Sequence, residues 1–162
     1  MFKLRYYPDP VLRRKAHEVR DFDSSNLEFI LENMRRVFIE HDAMGLAAPQ
    51  VGLLKRIFLL KLDDKLEEFI NPVIIETSGK TLNEEGCLSF PGLYFKIERA
   101  RKVTISAYKA DGKKVERKFE GIMARVVQHE VDHLNGVLYI DYLTPEERLK
   151  VDLLFIGALE EV

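Results

Sequence analysis

The sequence predicts an α+β fold: a compact single domain of short, mostly antiparallel strands around a central buried helix, with helices near both ends. Apolar residues recur at three- and four-residue steps near both termini and again over 121–134, whereas the middle holds short apolar or alternating runs. Asp111-Gly112 separates two alternating runs, which is a strong hairpin signal. The 162 residues suffice for one domain, 1–162, with its own hydrophobic core.

The N-terminal half is predicted to contain one helix and two strands. A serine N-cap and an amphipathic pattern predict the helix over 24–41. The apolar run 56–62 predicts a buried strand. A second strand over 69–77 contains Asn71-Pro72, and a proline confines a strand to a sheet edge or a bulge.

Two segments rich in glycine and turn formers are predicted to be loops. The first, 43–52, is either a plain connector or a loop whose main chain approaches another group closely. The second, 84–92, carries the single cysteine and follows a short predicted strand over 79–83.

The C-terminal half is predicted to contain a hairpin and two helices. The hairpin strands are 103–108 and 115–119. The helix over 121–134 has an unusually wide apolar surface, so we expect it to be buried on most sides. A brief extended piece, 137–140, precedes a last helix that begins at Thr144, with its apolar side provided by Leu149, Leu153, Leu154, Ile156, Ala158 and Leu159.

Composition excludes several classes of protein. The net charge is −2 and the isoelectric point is about 6.1, so the chain has no general basic field for DNA or RNA. No run approaches the roughly 20 apolar residues of a membrane span, and the N-terminus lacks the apolar core of a signal peptide. We therefore expect a cytoplasmic protein with no DNA and no membrane partner. Its one cysteine, Cys87, has no partner for an intramolecular disulfide.

The segment His129-Glu130-Val131-Asp132-His133 has the H-E-x-x-H arrangement. Residues four apart lie one turn apart on a helix, so both imidazoles can bind one metal ion, while Glu130 lies beside a metal-bound water. The alternative is an amphipathic helix in which the histidines have this spacing by chance.

A catalytic metal site of this type needs a third protein ligand. No histidine follows His133, and the later glutamates are predicted to be solvated helix residues, so the metallopeptidase pattern fits poorly. Cys87 is the better candidate because a thiolate binds borderline divalent ions well. The alternatives are that Cys87 is a small buried apolar residue, or that the chain is a binding protein with a structural metal.

Three segments together resemble one family. Gly45-Leu-Ala-Ala-Pro-Gln50, Glu85-Gly-Cys-Leu-Ser89 and Gln128-His-Glu-Val-Asp-His133 are similar, in this order and at these separations, to segments of the peptide deformylases. These enzymes remove the formyl group from the N-terminal methionine of new polypeptides. The resemblance covers nearly the whole chain.

The resemblance implies a metal site made of Cys87, His129 and His133. It implies Fe²⁺ as the expected ion, with Zn²⁺, Ni²⁺ or Co²⁺ as alternatives, and Glu130 as the general base for a metal-activated water. A mixed sulfur and nitrogen donor set agrees with this but does not choose between iron and zinc.

The same resemblance assigns residues that contact the substrate, N-formylmethionyl nascent polypeptides. The Gln50 side-chain amide and the Leu88 N–H are expected to stabilise the oxyanion. The Gly45 main chain is expected to hydrogen-bond the peptide. The candidates for an apolar methionine pocket, which also fit an ordinary core, are Met44, Ile122, Val126 and His129.

The sequence departs from the family pattern at a few positions. Ala43 stands where a glycine is usual, and Tyr94 stands where some members carry a basic residue. The acidic end, 157–162, leaves open a transient ribosome contact through the last helix.

Glu85 is expected to pair with Arg99. This pair either holds the segment that contains Cys87 in place or is an ordinary ion pair on the surface.

Overall fold

The computed structural model describes residues 2–160, and for 156–160 it describes the main chain only. Within this range the three α-helices are α1 (Ser25–Glu40), α2 (Ile122–Leu134) and α3 (Pro145–Glu160). The strands are β1 (Gly45–Ala47), β2 (Ile57–Leu62), β3 (Lys65–Ser78), β4 (Thr81–Cys87), β5 (Phe90–Arg99), β6 (Lys102–Tyr108) and β7 (Lys114–Glu120). Short 3₁₀ helices occupy Pro10–Arg13, Ala48–Val51 and Tyr139–Tyr142. None of the described helices is long and apolar enough to cross a membrane.

The strands form two antiparallel sheets. One has five strands in the order β1-β2-β3-β6-β7, and the other is the hairpin of β4 and β5. The predicted α+β class is therefore confirmed, although β3 and β5 are longer than the short strands that the sequence predicts.

The five-stranded sheet lies between α1 and α2. Alternate residues of β2 face opposite sides, so Leu59 joins the cluster around α1, whereas Phe58 and Leu60 pack against α2. This two-sided burial explains why β2 is a continuous apolar run and not an alternating one. The helix α2 also contacts β1 and β7, which places it in the centre of the molecule.

Three local predictions are wrong. The predicted loop over 43–52 contains β1 and a 3₁₀ helix, and the predicted loop over 84–92 is the end of a hairpin. Most residues in β4 are exposed or half-buried, so this strand gives little apolar signal. The predicted extended piece at 137–140 leads into a 3₁₀ helix.

The last helix begins as predicted but packs through other residues. Thr144 Oγ1 accepts from the Glu147 N–H at 3.2 Å, and Glu147 Oε1 accepts from the Thr144 N–H at 3.3 Å. Val151 and Phe155 face the core, whereas the residues predicted for this role, Leu149, Leu153 and Leu154, are exposed. The predictions for the side chains of Ile156, Ala158 and Leu159, and for the acidic end 157–162, lie outside the described residues.

The Asn71-Pro72 dipeptide forms a bulge, which is one of its two predicted positions. β3 pairs on both sides, and its register with β6 shifts between Ile70 and Val73. Asn71 has φ 51°, and its side chain accepts from the Val19 N–H at 2.9 Å and donates to the Val19 carbonyl at 2.8 Å. The bulge thereby holds the chain that precedes α1.

The N-terminal segment, 5–17, connects the main chains of three other regions. The hydrogen bonds join the N–H groups of Arg5, Tyr7 and Ala16 to the carbonyls of Gln50 (2.7 Å), Ser89 (3.0 Å) and Leu134 (2.9 Å). The segment thus contacts the 3₁₀ helix after β1, the turn of the β4–β5 hairpin and the end of α2.

We predict that Asn71→Ala lowers the free energy of unfolding by about 1–3 kcal/mol, because the buried Val19 main-chain groups lose their partners. Asn71→Gly should cost less, since glycine removes the left-handed strain of about 1 kcal/mol or slightly more. Urea denaturation measures both. The exposed Asn83→Ala is the control, and an equal effect of Asn71→Ala and Asn83→Ala would contradict the role of the bulge.

Candidate metal centre

Three side chains from two elements converge at one point. His129 and His133 lie four residues apart on α2, and Cys87 is the last residue of β4. One ligand atom from each lies within 4.8 Å of the others. Cys87 Sγ is 3.4 Å from His133 Nε2, which is 3.1 Å from His129 Nε2. The structure thus brings together the three predicted metal ligands.

The donor atoms fit one divalent cation. His129 Nδ1 donates to Glu85 Oε2 at 2.6 Å, so Nε2, which faces Cys87 and His133, is the ring nitrogen available to a metal ion. Burial lowers the pKa of His129, but Cys87 and Glu85 outweigh it and raise that pKa, whereas burial and His129 lower the pKa of His133. One sulfur with two imidazole nitrogens is a donor set that borderline divalent ions bind.

The carboxylate of Glu85 is buried beneath this cluster. Arg99 donates to it through Nε at 3.1 Å and through Nη2 at 2.8 Å, and Arg125 Nη1 donates at 3.1 Å. Burial alone would raise the pKa of Glu85, but the hydrogen bonds from His129 and Arg99 outweigh burial and lower it. The predicted Glu85–Arg99 pair is confirmed, and it is a buried pair.

Three further residues complete this network, and none of them is predicted from the sequence to take part in it. Arg125 is buried, and Asp132 Oδ2 accepts from Arg99 Nη1 at 2.6 Å and from the Tyr142 hydroxyl at 2.7 Å. Arg125 could have been found, because it is a charged residue one turn before His129 on a largely apolar helix. Nothing in the sequence around Tyr142 indicates this contact.

Glu130 is a buried carboxylate beside the cluster. It is 2% exposed, and its Oε1 has no hydrogen-bond partner among the described residues. Burial raises its pKa to about 7, with the charge of Glu85 adding to the rise and those of His129 and Arg99 opposing it. A buried acid whose oxygen lacks a hydrogen-bond partner in a cleft is a candidate functional group.

Gly45 gives Glu130 the space it occupies. A Cβ at position 45 would lie 2.7 Å from Glu130 Oε2 and 2.8 Å from Val126 Cγ1. Besides the predicted substrate contact of the Gly45 main chain, this close approach is a second reason for a glycine at the position. Ala43, two residues earlier, is buried in the core, and its main chain is not left-handed, so its methyl group is tolerated.

Gln50 and Leu88 flank Cys87. Gln50 Oε1 accepts from the Ala47 N–H at 2.9 Å, which fixes the amide orientation. Its Nε2 group therefore points toward Cys87 Sγ at 3.6 Å and Ser89 Oγ at 3.3 Å. Leu88 follows Cys87 in the turn between β4 and β5. The two predicted oxyanion donors thus both lie near Cys87 and line the same cleft.

A cleft of about 580 Å³ opens above these groups. Met44, Ile122 and Val126, the predicted pocket residues, line it together with Gly45, Gln50, Cys87, Leu88, His129 and Glu130. His133 is more deeply buried. Tyr94 forms part of the wall, with its ring against Gly86, where a Cβ would lie 2.6 Å from Tyr94 Cε1.

Residues 1–149 match the family model described as polypeptide deformylase. The chain belongs to this family. It is 45% identical over 150 residues to the peptide deformylase of Thermotoga petrophila, and the aligned residues cover 92% of this chain and 91% of that relative. The family consists of hydrolases, and the chain is accordingly an enzyme of this class.

Solved structures of the family share the fold. The peptide deformylase of Thermus thermophilus superposes with a TM-score of 0.88 at 37% identity, covering 99% of this chain and 96% of that one. The class I type b peptide deformylase of Acinetobacter baumannii with Met-Ala-Ser bound has a TM-score of 0.83 at 32% identity, covering 88% and 98%. The resemblance that the three sequence segments indicated is confirmed.

We predict that Gly45→Ala lowers the free energy of unfolding by about 1–3 kcal/mol, because its methyl group collides with Glu130 and Val126. In a Glu130→Ala background the same substitution should cost less, since the nearer colliding atom is absent. Urea denaturation of the two single variants and the double variant measures this coupling. An identical cost in both backgrounds would show that Glu130 does not require the glycine.

Proposed function

We propose that this chain hydrolyses the formyl group from the N-terminal formyl-methionine of newly made polypeptides. The observation that carries the proposal is the convergence of Cys87, His129 and His133 at the base of a cleft in a member of this family. Beside them lies the buried Glu130, whose Oε1 has no hydrogen-bond partner in the part of the chain that the structure describes. The Acinetobacter baumannii relative with Met-Ala-Ser bound supports a peptide that begins with methionine as the ligand.

Cys87, His129 and His133 would hold one divalent ion, for which we propose Fe²⁺, with Zn²⁺, Ni²⁺ or Co²⁺ as alternatives that accept the same donors. When bound, such an ion supplies a Lewis acid and makes water nucleophilic near neutral pH. His129 is oriented for this role by its Nδ1–H···Glu85 hydrogen bond.

Glu130 acts as the general base and then as the general acid. Its carboxylate accepts a proton from the attacking water and later donates it to the amine nitrogen as the C–N bond breaks. The products are formate and a free N-terminus. The position of Glu130 beside His129, with Oε1 bound to no described residue, supports this role.

Negative charge develops on the formyl oxygen during attack, and two donors can stabilise it. The Gln50 Nε2 group is held toward Cys87 by the Ala47 N–H···Oε1 bond, and the Leu88 N–H follows Cys87 in the turn. A hydrogen-bond donor that is already in position lowers the activation free energy by about 3 kcal/mol.

The peptide binds along β1. This strand lies at the edge of the five-stranded sheet, and Gly45 lines the cleft, so an extended peptide can pair with its main chain. The methionine side chain occupies the apolar part of the cleft formed by Met44, Ile122 and Val126, beside His129. Met44 and Ile122 are exposed apolar residues that a substrate would cover.

Because the proposed substrate is produced on ribosomes, we propose that the enzyme acts in the cytoplasm. We also propose that residues 1–162 form a single catalytic domain. A transient ribosome contact through the last helix stays a prediction.

The direct test is an anaerobic assay of the metal-loaded protein on formyl-Met-Ala-Ser, with Met-Ala-Ser as the second substrate. We expect formate release from the first peptide and no cleavage of either peptide chain. Cleavage of Met-Ala-Ser between its residues, without formate release, would identify a metallopeptidase instead.

We predict that Glu130→Ala retains the metal and lowers kcat by about 10²–10⁴-fold, because the proton acceptor is lost. Metal analysis and formate release measure the two properties on one sample. Glu84→Ala, which removes an exposed carboxylate from the same cleft, is the control and should keep its activity within a few-fold. Near wild-type activity of a fully loaded Glu130→Ala variant would contradict the assignment.

We also predict that Cys87→Ser binds the metal more weakly, because a hydroxyl gives up its proton far less readily than a thiol. Chelator competition measures the affinity. His41→Ala serves as the control, since His41 lines the cleft but does not belong to the three-residue cluster. Unchanged stoichiometry and affinity in Cys87→Ser would remove Cys87 from the ligand set.

A further inference from the structure

Arg125 is a buried arginine whose guanidinium leaves its own helix and binds the β4–β5 hairpin. The residue is 6% exposed. Its Nη1 group donates to the Ile97 carbonyl at 2.8 Å as well as to Glu85 Oε1 at 3.1 Å, and its Nη2 group donates to the Thr81 carbonyl at 2.9 Å. One side chain of α2 thereby contacts both strands of the hairpin.

These contacts restrain the distance between α2 and the hairpin. A buried cation is tolerated only where hydrogen bonds replace its hydration, so movement of the hairpin away from Arg125 would expose unpaired donors and acceptors. The guanidinium is planar and presents its donors as a rigid fork, which fixes direction as well as distance. Arg99 makes the reciprocal contact from β5 to Asp132 on α2 at 2.6 Å.

The ligands of the candidate metal centre are divided between the same two elements. Cys87 lies on the hairpin, whereas His129 and His133 lie on α2. The two histidines keep their spacing as long as the helix is intact, but the distance from Cys87 to His133 depends on how the hairpin sits against the helix. The contacts of Arg125 restrain this distance together with the Arg99–Asp132 and Glu85–His129 contacts, which join the same two elements.

We infer that Arg125 is a positioning residue for the metal centre, which holds the hairpin against α2 so that Cys87 meets the two histidines before an ion binds. This inference rests on the proposed function only for the role of the metal. Arg125 thus affects metal affinity although it is not one of the three ligands.

The test is a titration of Co²⁺ into the full-length protein after removal of its metal. Thiolate-to-Co²⁺ absorption reports the contact with Cys87, and chelator competition gives the affinity. We expect Arg125→Met to bind Co²⁺ about 10–100-fold more weakly, as is typical when support behind a ligand is lost, and to show a weaker thiolate band. Arg125→Lys should be intermediate, because it keeps the charge near Glu85 but offers one nitrogen in place of two.

Arg117→Met is the matched control. Arg117 donates to Glu67 at 2.7 Å, so its loss also removes an arginine–glutamate pair, but this pair joins β7 to β3 in the five-stranded sheet. We expect wild-type Co²⁺ affinity and absorption from this variant, even if its free energy of unfolding falls.

Wild-type affinity and an unchanged thiolate band in Arg125→Met would overturn the inference and leave Arg125 with a purely structural role. If Arg125→Met does not fold, wild-type values in Arg125→Lys overturn it equally. A wild-type protein that binds Co²⁺ without a thiolate band would instead show that the proposed metal centre is wrong.

Discussion

The buried carboxylate of Glu85 is the interaction on which the site depends. It accepts hydrogen bonds from His129 and Arg125 on α2 and from Arg99 on β5, and it lies on β4 itself. A lone carboxylate in this position would be strongly unfavourable, and loss of one member of a buried ion pair commonly costs about 3–5 kcal/mol. The negative charge of Glu85 on β4 thus holds α2 and β5 in place, because the donors that compensate it come from these two elements.

The sequence predicts those elements whose burial is one-sided or complete. The helix α1 has one apolar face, and β2 is buried on both faces because it lies between two helices, so each has a recognisable pattern. Most of the β4–β5 hairpin escapes prediction for the opposite reason, and only the short predicted strand over 79–83 overlaps the start of β4. Many of its residues, including Glu84, Lys96 and Glu98, face solvent, and only pairing between the strands organises them.

The same distinction applies to the site. The spacing of His129 and His133 is local, so one helical turn suffices to predict that they meet. Cys87 is 42 residues before His129 in the chain, so it is predicted only because the two histidines lack a third ligand and because its segment resembles a family. The contacts of Tyr142 with Asp132 and Arg99 depend entirely on how distant segments pack, and no local pattern indicates them.

The hydrogen bonds of the N-terminal segment, 5–17, determine which sequence changes this part of the chain can tolerate. It joins the Gln50 region, the Ser89 turn and the end of α2 through N–H and carbonyl groups, which every residue other than proline supplies in the same form. A substitution of an exposed residue of the segment therefore leaves these groups available, whereas one inserted or deleted residue between Arg5 and Ala16 would put them out of register. The length of this part of the protein is therefore constrained throughout, whereas its composition is constrained only where a side chain such as Leu12 or Ala16 is buried.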